Sequence, residues 1–410
     1  MSAVVIIGAS HAGVQAAASL RQRGWQERIV LLSAEEDYPY HRPPLSKAYL
    51  AGEKAEGQLL LRAPEFYRDQ GIDLRLNEPA LSIDPHARQV TVSAGRLDYS
   101  KLVLATGSRA RTLPLPGADA HGIHTLRSIS DARVLRSALR DAENIVIIGG
   151  GFIGLEFAST AIKQGKSVVV LEAQERLLAR ALPETLSAFI RSYHAGNGVA
   201  FRFGALPERF VTRGDKVSGV LLSDGTALPA DLVLVGVGGV AETALAEPLG
   251  LKTVAGGIEV DAHGRTSAPD IYALGDVAAV HNAYASAPMR LESVQNAVEQ
   301  AKAAAEHILG SAAPPSAVPW FWTDQYDLKM QMAGLPRPGT TELLRGDPAS
   351  GAFSILQLAG SRLVAAYSVN RAADHMASRK LIASGDFIDT DRASDIETPL
   401  LKTVAVAAAS

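Results

Sequence analysis

Residues 145–172 read IVIIGGGFIGLEFASTAIKQGKSVVVLE. Four apolar residues, Ile145 to Ile148, run into Gly149, Gly151 and Gly154 at G-x-G-x-x-G spacing; an apolar-periodic helix follows, and a second strand closes on Glu172. The first glycine makes the tight turn, the second admits a pyrophosphate to the backbone, and the third lets helix and strand pack closely, with the helix N-terminus facing the phosphates. The terminal carboxylate is the acceptor for a ribose diol. Strand, glycine turn, helix, strand and acid in that order make a common glycine spacing specific for dinucleotide binding.

The chain carries the unit twice. VVIIGASHAGVQAA at residues 4–17 aligns without a gap on IVIIGGGFIGLEFA, Gly8 on Gly149 and Gly13 on Gly154. This is an internal repeat of a whole binding unit. Ser10 replaces the second glycine, narrowing the approach of a pyrophosphate without closing it. Ser10 and His11 do not form a nucleophile elbow, because G-x-S-x-x-G has the wrong spacing; His11 is expected to pack near the cofactor. The second strand, RIVLLS, ends at Ser33, and the acid facing the ribose is Glu35 or Glu36, with exposed turn residues as the alternative.

At 410 residues the chain calls for two or three domains. Its 40 basic and 43 acidic residues leave a net charge of -3, which gives no electrostatic reason to expect nucleic acid or a strongly anionic membrane. No apolar run approaches the roughly 18 residues of a membrane span, and no signal-peptide pattern opens the sequence, so a soluble cytoplasmic protein is expected. Cysteine is absent. That excludes disulfides, thiolate metal sites, cysteine-held iron–sulfur clusters within the chain and a redox-active dithiol. No metal site is expected.

The remaining segments fit between and after the two units. YPYHRPPLSKAYL at 38–50 has Pro43 and Pro44 fixing an extended corner, with Ser46 as cap of a short helix. Arg42 and Lys47 flank that corner; anion or flavin contacts are one reading, solvated surface charge the other. LVLATG at 102–107 and DLVLVGVG at 231–238 are apolar strands ending in glycine corners, suited to the middle of a parallel sheet. Pro114, Pro116 and Gly117 mark a linker, after which Arg127 precedes a helix capped by Ser130. IYALGD stops at Gly275–Asp276, residues 292–309 are an alanine-rich helix, and Pro314, Pro315 and Pro319 mark a second linker. A small mixed domain beginning PWFWTDQ follows, and the terminal VAVAAAS is expected to fray. The expected class is α/β: a discontinuous first nucleotide domain over 1–112 and 241–315, a second over 113–240, and a C-terminal α+β domain over 316–410.

GASHAG, HRPPLSKAYL, LVLATG, GGGFIGLE, ALGD, ESVQNA and PWFWTDQ, in that order over essentially the whole chain, resemble the FAD-dependent, NADH-linked ferredoxin reductases of the glutathione-reductase superfamily. The resemblance implies that the first unit binds FAD and the second NADH. It places Gly8, Ser10, Ala12 and Gly13 at the FAD pyrophosphate, Arg42, Lys47 and Arg127 on the cofactor, and Glu35 at its ribose in place of the acid that family members usually carry at the position of Ala34. Ala80, Thr106, Gly107, Gly275 and Trp322 fall to the flavin as well. Asp276 would accept from a ribitol hydroxyl, and Val294 would bring a helix N-terminus to the flavin pyrimidine edge, worth about 0.3–2 kcal/mol for negative charge there. Glu156, paired with Lys47 near the flavin N5, would sit by the nicotinamide; Gly149, Gly151, Gly154 and Glu172 would hold NADH.

The reaction so implied is hydride transfer from NADH to FAD, then two single-electron transfers to a small 2Fe–2S ferredoxin serving a haem-thiolate monooxygenase or a Rieske dioxygenase. Glu172 favours NADH over NADPH, and Arg176 is the residue that would reverse the preference. Ferredoxins are usually acidic, so Arg62, Arg290 and Lys302 are the candidate docking cations. Trp320 and Trp322 are core or flavin-shielding aromatics. Without cysteine, thiol-dependent reductases, oxidases and peroxidases on the same fold are excluded. A peroxide-forming NADH oxidase, a rubredoxin or monodehydroascorbate reductase, and a non-catalytic redox-sensing flavoprotein remain as alternatives.

Overall fold

The computed structural model describes residues 3–285, 287–312 and 316–405. Two parallel five-stranded sheets repeat one design. In the first, the strand Ala3–Ile7 lies between Lys101–Leu104 and Arg28–Leu32, with Ile271–Ala273 and Ile72–Arg75 at the edges. In the second, Asn144–Ile148 lies between Leu232–Val235 and Ser167–Glu172, with Ile123–His124 and Ala200–Phe203 at the edges. Helices cover one face and antiparallel strands the other: Val4 and Ile6 cluster with Ala16 and Ala17, and Val5 with Val90 and Val92, so all three are buried and the central strands read as unbroken apolar runs rather than alternating ones. A three-stranded antiparallel meander precedes an apolar strand in each unit, at 82–98 before Lys101–Leu104 in one and at 207–229 before Leu232–Val235 in the other.

The first sheet borrows its edge strand Ile271–Ala273 from beyond the second unit. The helix Val294–Ile308 returns with it and packs along the helix His11–Gln22. Ala12, Ala16, Ala17, Ala301, Ala304 and Ala305 share one buried cluster there; their small side chains allow the two helices to approach closely. Between the units the chain crosses through an antiparallel ribbon of Ser108–Ala110 with Gly239–Ala241.

A third, antiparallel sheet runs in the order 320–325, 328–334, 362–369, 352–359, 341–347, with the helix Ala372–Ser384 packed on it. Phe353, Ile355, Tyr367 and Met330 of this sheet join Leu155, Leu186 and Ile190 of the second unit in a single core cluster, which seats the sheet against that unit. Arg345, only 1% exposed, pairs with Asp374 at 3.1 Å and donates to the carbonyls of Ala393 and Thr398 at 3.1 and 2.8 Å, tying down the C-terminal segment.

Two local expectations are corrected. The helix Ile129–Asp141 is capped by Ser128, whose hydroxyl accepts from the Asp131 amide while Asp131 accepts from the Ser128 amide, a reciprocal box that Ser130, two residues later and already inside the helix, does not make. Ser46 caps nothing: Pro43–Ser46 is a single 3₁₀ turn with Ser46 at its end. Pro314 and Pro315, and residues 406–410 of the terminal stretch, lie outside the described residues.

Candidate active site

The two glycine turns face one cleft of about 970 Å3 closed on a third side by the strand Trp320–Gln325. The glycines divide by role. Gly8 has φ +111°, and a Cβ there would stand 2.2 Å from the Ala105 carbonyl oxygen; Gly149 has φ +110° and would meet the Gly236 carbonyl at 2.4 Å. Each makes a turn tight enough to touch the corner of the neighbouring strand. Gly13 and Gly154 press their helices onto the carbonyls of Gly8 and Gly149, at 2.0 and 2.3 Å from a notional Cβ. Gly151 differs: its nearest neighbour is 3.9 Å away and it lines the cleft, so the space its missing side chain leaves is open to a ligand. Ser10, at the matching position of the first turn, lines the cleft too and accepts from Arg42 Nε at 3.2 Å.

Beyond the second turn, Glu172 Oε2 accepts from the Gly150 amide at 2.8 Å and Oε1 from the Gln174 amide at 2.9 Å. Two backbone donors thus fix the carboxylate at the cleft lip and leave lone pairs for a diol. Arg176 is spent elsewhere, donating to the carbonyls of Leu182 and Ala179 at 2.9 and 2.8 Å.

At the seam between the units, Lys47 Nζ stands 2.8 Å from Glu156 Oε1. The Pro43–Ser46 turn brings Lys47 there by seating on the helix Phe152–Lys163, where Thr160 Oγ1 donates to the Ser46 carbonyl at 3.4 Å. Glu156 is 4% exposed and accepts two further bonds, from Ser46 Oγ at 2.5 Å and from Thr323 Oγ1 at 2.6 Å. Neither hydroxyl was assigned this role from sequence. The signal available for Thr323 was the alternation in PWFWTDQ, which puts 321, 323 and 325 on one face.

On the first-unit side, Arg127 Nη2 pairs with Asp276 Oδ2 at 2.8 Å, and Ser108 Oγ donates to the same oxygen at 3.2 Å. Arg42 donates to the Arg127 carbonyl at 2.8 Å. Ala12, Arg42, Thr106, Gly107, Gly275, Val294 and Trp322 line the cleft with them. His11 opens the helix His11–Gln22 and lines it as well; burial, then the nearby His41 and Arg42, push its imidazole down to about 4, so it is neutral near pH 7.

Gly8, Gly13 and Gly154 shape the turns from behind without lining the cleft, and Glu35 and Ala80, expected at the cofactor, do not line it either. Glu35 is bound to Arg42 at 2.5 Å and to the Tyr40 hydroxyl, and both its carboxylate oxygens are engaged. The register explains it: Ile7 pairs with Leu32 as Ile148 pairs with Leu171, so the structural counterpart of Glu172 is Ser33, two residues earlier. Ala80 packs against the core under the 82–98 meander instead.

A family model described as pyridine nucleotide-disulphide oxidoreductase matches residues 2–301. The chain belongs to that family. A second model, the reductase C-terminal domain, matches residues 320–404. Among curated relatives the ferredoxin reductase subunit of 5,5'-dehydrodivanillate O-demethylase from Sphingobium sp. strain SYK-6 is 44% identical over 406 residues, 98% of each chain. Among solved structures, the ferredoxin reductase for the CYP199A2 system of Rhodopseudomonas palustris superposes with a TM-score of 0.95 at 40% identity, covering 99% of this chain and 100% of that one. The covalent putidaredoxin reductase–putidaredoxin complex gives 0.95 at 39%, covering 100% and 99%.

The disulphide in the family's description has no counterpart here, since the chain has no cysteine. The candidate docking cations are partly spent. Arg290 pairs with Glu292 at 2.6 Å and its side chain is 15% exposed, while Lys302 pairs with Glu299 at 3.0 Å. Arg62 lies over the Phe66 ring and has no carboxylate partner among the described residues. Among those residues no helix is long and apolar enough to cross a membrane.

Proposed function

We propose that this protein is an FAD-dependent NADH:ferredoxin reductase that passes electrons singly to a 2Fe–2S ferredoxin serving an oxygenase. The observation that carries the reading is the seam: two dinucleotide turns share one cleft, and the Lys47–Glu156 pair stands where they meet. The walls fit both cofactors. Ser10, Arg42 and Arg127 gather donors at the first helix N-terminus for a diphosphate, and the open position at Gly151 admits a second. FAD, once bound, supplies the exchange between a two-electron hydride and single electrons.

The chain's own residues position and polarise. Glu172 orients the ribose of NADH and opposes a 2'-phosphate, and Arg176, engaged with backbone carbonyls, does not offset it. Asp276, held by Arg127 and Ser108, keeps its second oxygen for a ribitol hydroxyl. Lys47 holds a positive charge at the seam, where it favours the arrival of negative charge, and Glu156 fixes the ammonium in place. The helix beginning at Val294 adds the positive end of its dipole. Trp322 shields the cleft from water on the C-terminal side.

Relatives at 44% and 41% identity, covering 98% and 94% of this chain, are named as ferredoxin reductases, which supports a ferredoxin as acceptor. An acidic ferredoxin would meet Arg62 rather than the paired Arg290 and Lys302, and a cytoplasmic location follows from the use of NADH. The purified protein with FAD should bleach with NADH faster than with NADPH and reduce a 2Fe–2S ferredoxin far faster than oxygen. Equal turnover on ferredoxin and oxygen would make it an oxidase.

A further inference from the structure

The strand Trp320–Gln325 does more than close the cleft. Its side chains alternate, and residues 321, 323 and 325 all face the second nucleotide unit. Phe321 packs on Phe152 with ring centroids 4.8 Å apart, Thr323 reaches Glu156, and Gln325 Oε1 lies 2.8 Å from His194 Nε2 in the helix Glu184–Gly196. Gln325 Nε2 in turn donates to Thr323 Oγ1 at 3.2 Å. Thr323, Gln325 and His194 are fully buried, so no water competes for these bonds.

The donors can be ordered in only one way that gives Glu156 its hydrogen bond. A carboxylate only accepts, so the Thr323 hydroxyl proton must point to Glu156 Oε1, at 2.6 Å. Thr323 Oγ1 then accepts from Gln325, which fixes the amide nitrogen on that side and its oxygen toward His194. That oxygen only accepts, so His194 must carry its proton on Nε2. Burial lowers the basicity of the imidazole, leaving it neutral with a single proton, and Nδ1 has no hydrogen-bond partner among the described residues, as fits a bare lone pair. Every donor in the chain points toward Glu156. Were the proton on Nδ1, the amide would turn over and Thr323 would donate to Gln325 instead, leaving Glu156 Oε1 with Lys47 alone.

We propose that Thr323, oriented by Gln325 and the Nε2–H tautomer of His194, is a positioning residue for the step from NADH to the flavin. It locks the Glu156 carboxylate in the rotamer that holds the Lys47 ammonium at the seam. The C-terminal sheet thereby sets the geometry of a pair formed by the two nucleotide units. This rests on the NADH-to-flavin half of the function proposed above and not on the ferredoxin half.

Two measurements test it. In the apoprotein labelled with 15N-histidine, His194 should show a protonated Nε2 and an unprotonated Nδ1, and Gln325→Leu should abolish the fixed tautomer; a protonated Nδ1 in the unsubstituted protein overturns the proposal. In anaerobic stopped flow, Thr323→Val should slow flavin reduction by NADH about ten- to a hundredfold, the worth of one hydrogen bond to a charged group, while NADH affinity stays within about twofold. Thr323→Ser, which keeps the hydroxyl, should recover most of the rate. Reduction by Thr323→Val at the unsubstituted rate, or Thr323→Ser no faster than Thr323→Val, overturns the proposal. If the unsubstituted protein itself is not reduced by NADH, it is the functional reading that fails.

Discussion

Exchanging Glu172 for glutamine keeps the side chain's length and removes its charge. The carboxylate is held at the cleft lip by the Gly150 and Gln174 amides at 2.8 and 2.9 Å, so its remaining lone pairs have a fixed direction. Losing a charged acceptor for the ribose diol costs about 1.5–3 kcal/mol, which weakens NADH binding about ten- to a hundredfold. For NADPH a second term has the opposite sign. Two unit charges about 4 Å apart repel by about 4 kcal/mol at an effective dielectric of 20 and about 1 kcal/mol in water, and half-buried Glu172 lies between these limits. Together the terms narrow the preference for NADH by about 3 kcal/mol or more, at least about a hundredfold. The assay is anaerobic flavin bleaching over a series of NADH and NADPH concentrations, with affinity and limiting rate taken separately. A glutamine can accept from only one of the two amides, so a loss of about 1 kcal/mol in stability accompanies the change. Unaltered NADH affinity with unaltered discrimination would show that the ribose does not meet Glu172, and the assignment of the second turn would fall with it.

The glycine turns predict a contrast in the apoprotein: Gly149→Ala, whose Cβ would stand 2.4 Å from a carbonyl oxygen at φ +110°, should cost more than about 2 kcal/mol in urea denaturation, whereas Gly151→Ala should stay within about 1 kcal/mol and lose nucleotide affinity instead. Equal destabilisation by the two would refute the division of roles. Arg345→Met leaves Asp374, 3% exposed, with Arg371 as its remaining cation and frees the 393–398 carbonyls; a loss of about 3–5 kcal/mol is expected, with proteolysis concentrated in that segment, and an unchanged melting temperature would count against the clamp. Burial holds the imidazole of His375 at about 4, with neither nitrogen hydrogen-bonded among the described residues. The unfolded chain therefore takes up that proton first: the stabilisation is full above about pH 6.5 and is lost as pH falls from there to about 4, with a slope approaching 1.4 kcal/mol per unit, about one proton's worth. His375→Leu should flatten that part of the urea midpoint profile, and an unchanged slope would refute it.

The two nucleotide units were legible because their chemistry is local. A G-x-G-x-x-G turn, its strand and its helix lie within one short stretch, and the same constraint repeats at Gly8 and Gly149 whatever surrounds them. Lys47 and Glu156 could be paired only through the family resemblance, for they are far apart in sequence and meet by the docking of a proline turn on a helix. Ser46 was invisible for the same reason, since a hydroxyl carries no pattern of its own, and for Thr323 the alternation in PWFWTDQ gave a face but not the partner it meets. Other misreadings had local signals. Ser128 and Asp131 spell a capping box that starts two residues before Ser130. Glu292 and Glu299 stand two and three residues from Arg290 and Lys302, close enough to have been read as their partners. Glu35 was misplaced because an acid was sought near the end of the second strand without the strand pairing that makes Ser33 the equivalent of Glu172 in the first repeat.

The borrowed edge strand has a consequence for how the chain emerges from the ribosome. Every strand of the second parallel sheet lies between residues 123 and 235, whereas the first sheet waits for Ile271–Ala273 and for the helix Val294–Ile308 behind it. At about 5–20 residues per second, the roughly 170 residues between Leu104 and Ile271 take on the order of 10–30 s to make. During that interval Lys101–Leu104 is an open, apolar sheet edge while the second unit is already able to close. Of the two nucleotide units, the one translated first is therefore the one that finishes folding second, and a nascent chain arrested before residue 271 should need a chaperone for its first unit rather than its second.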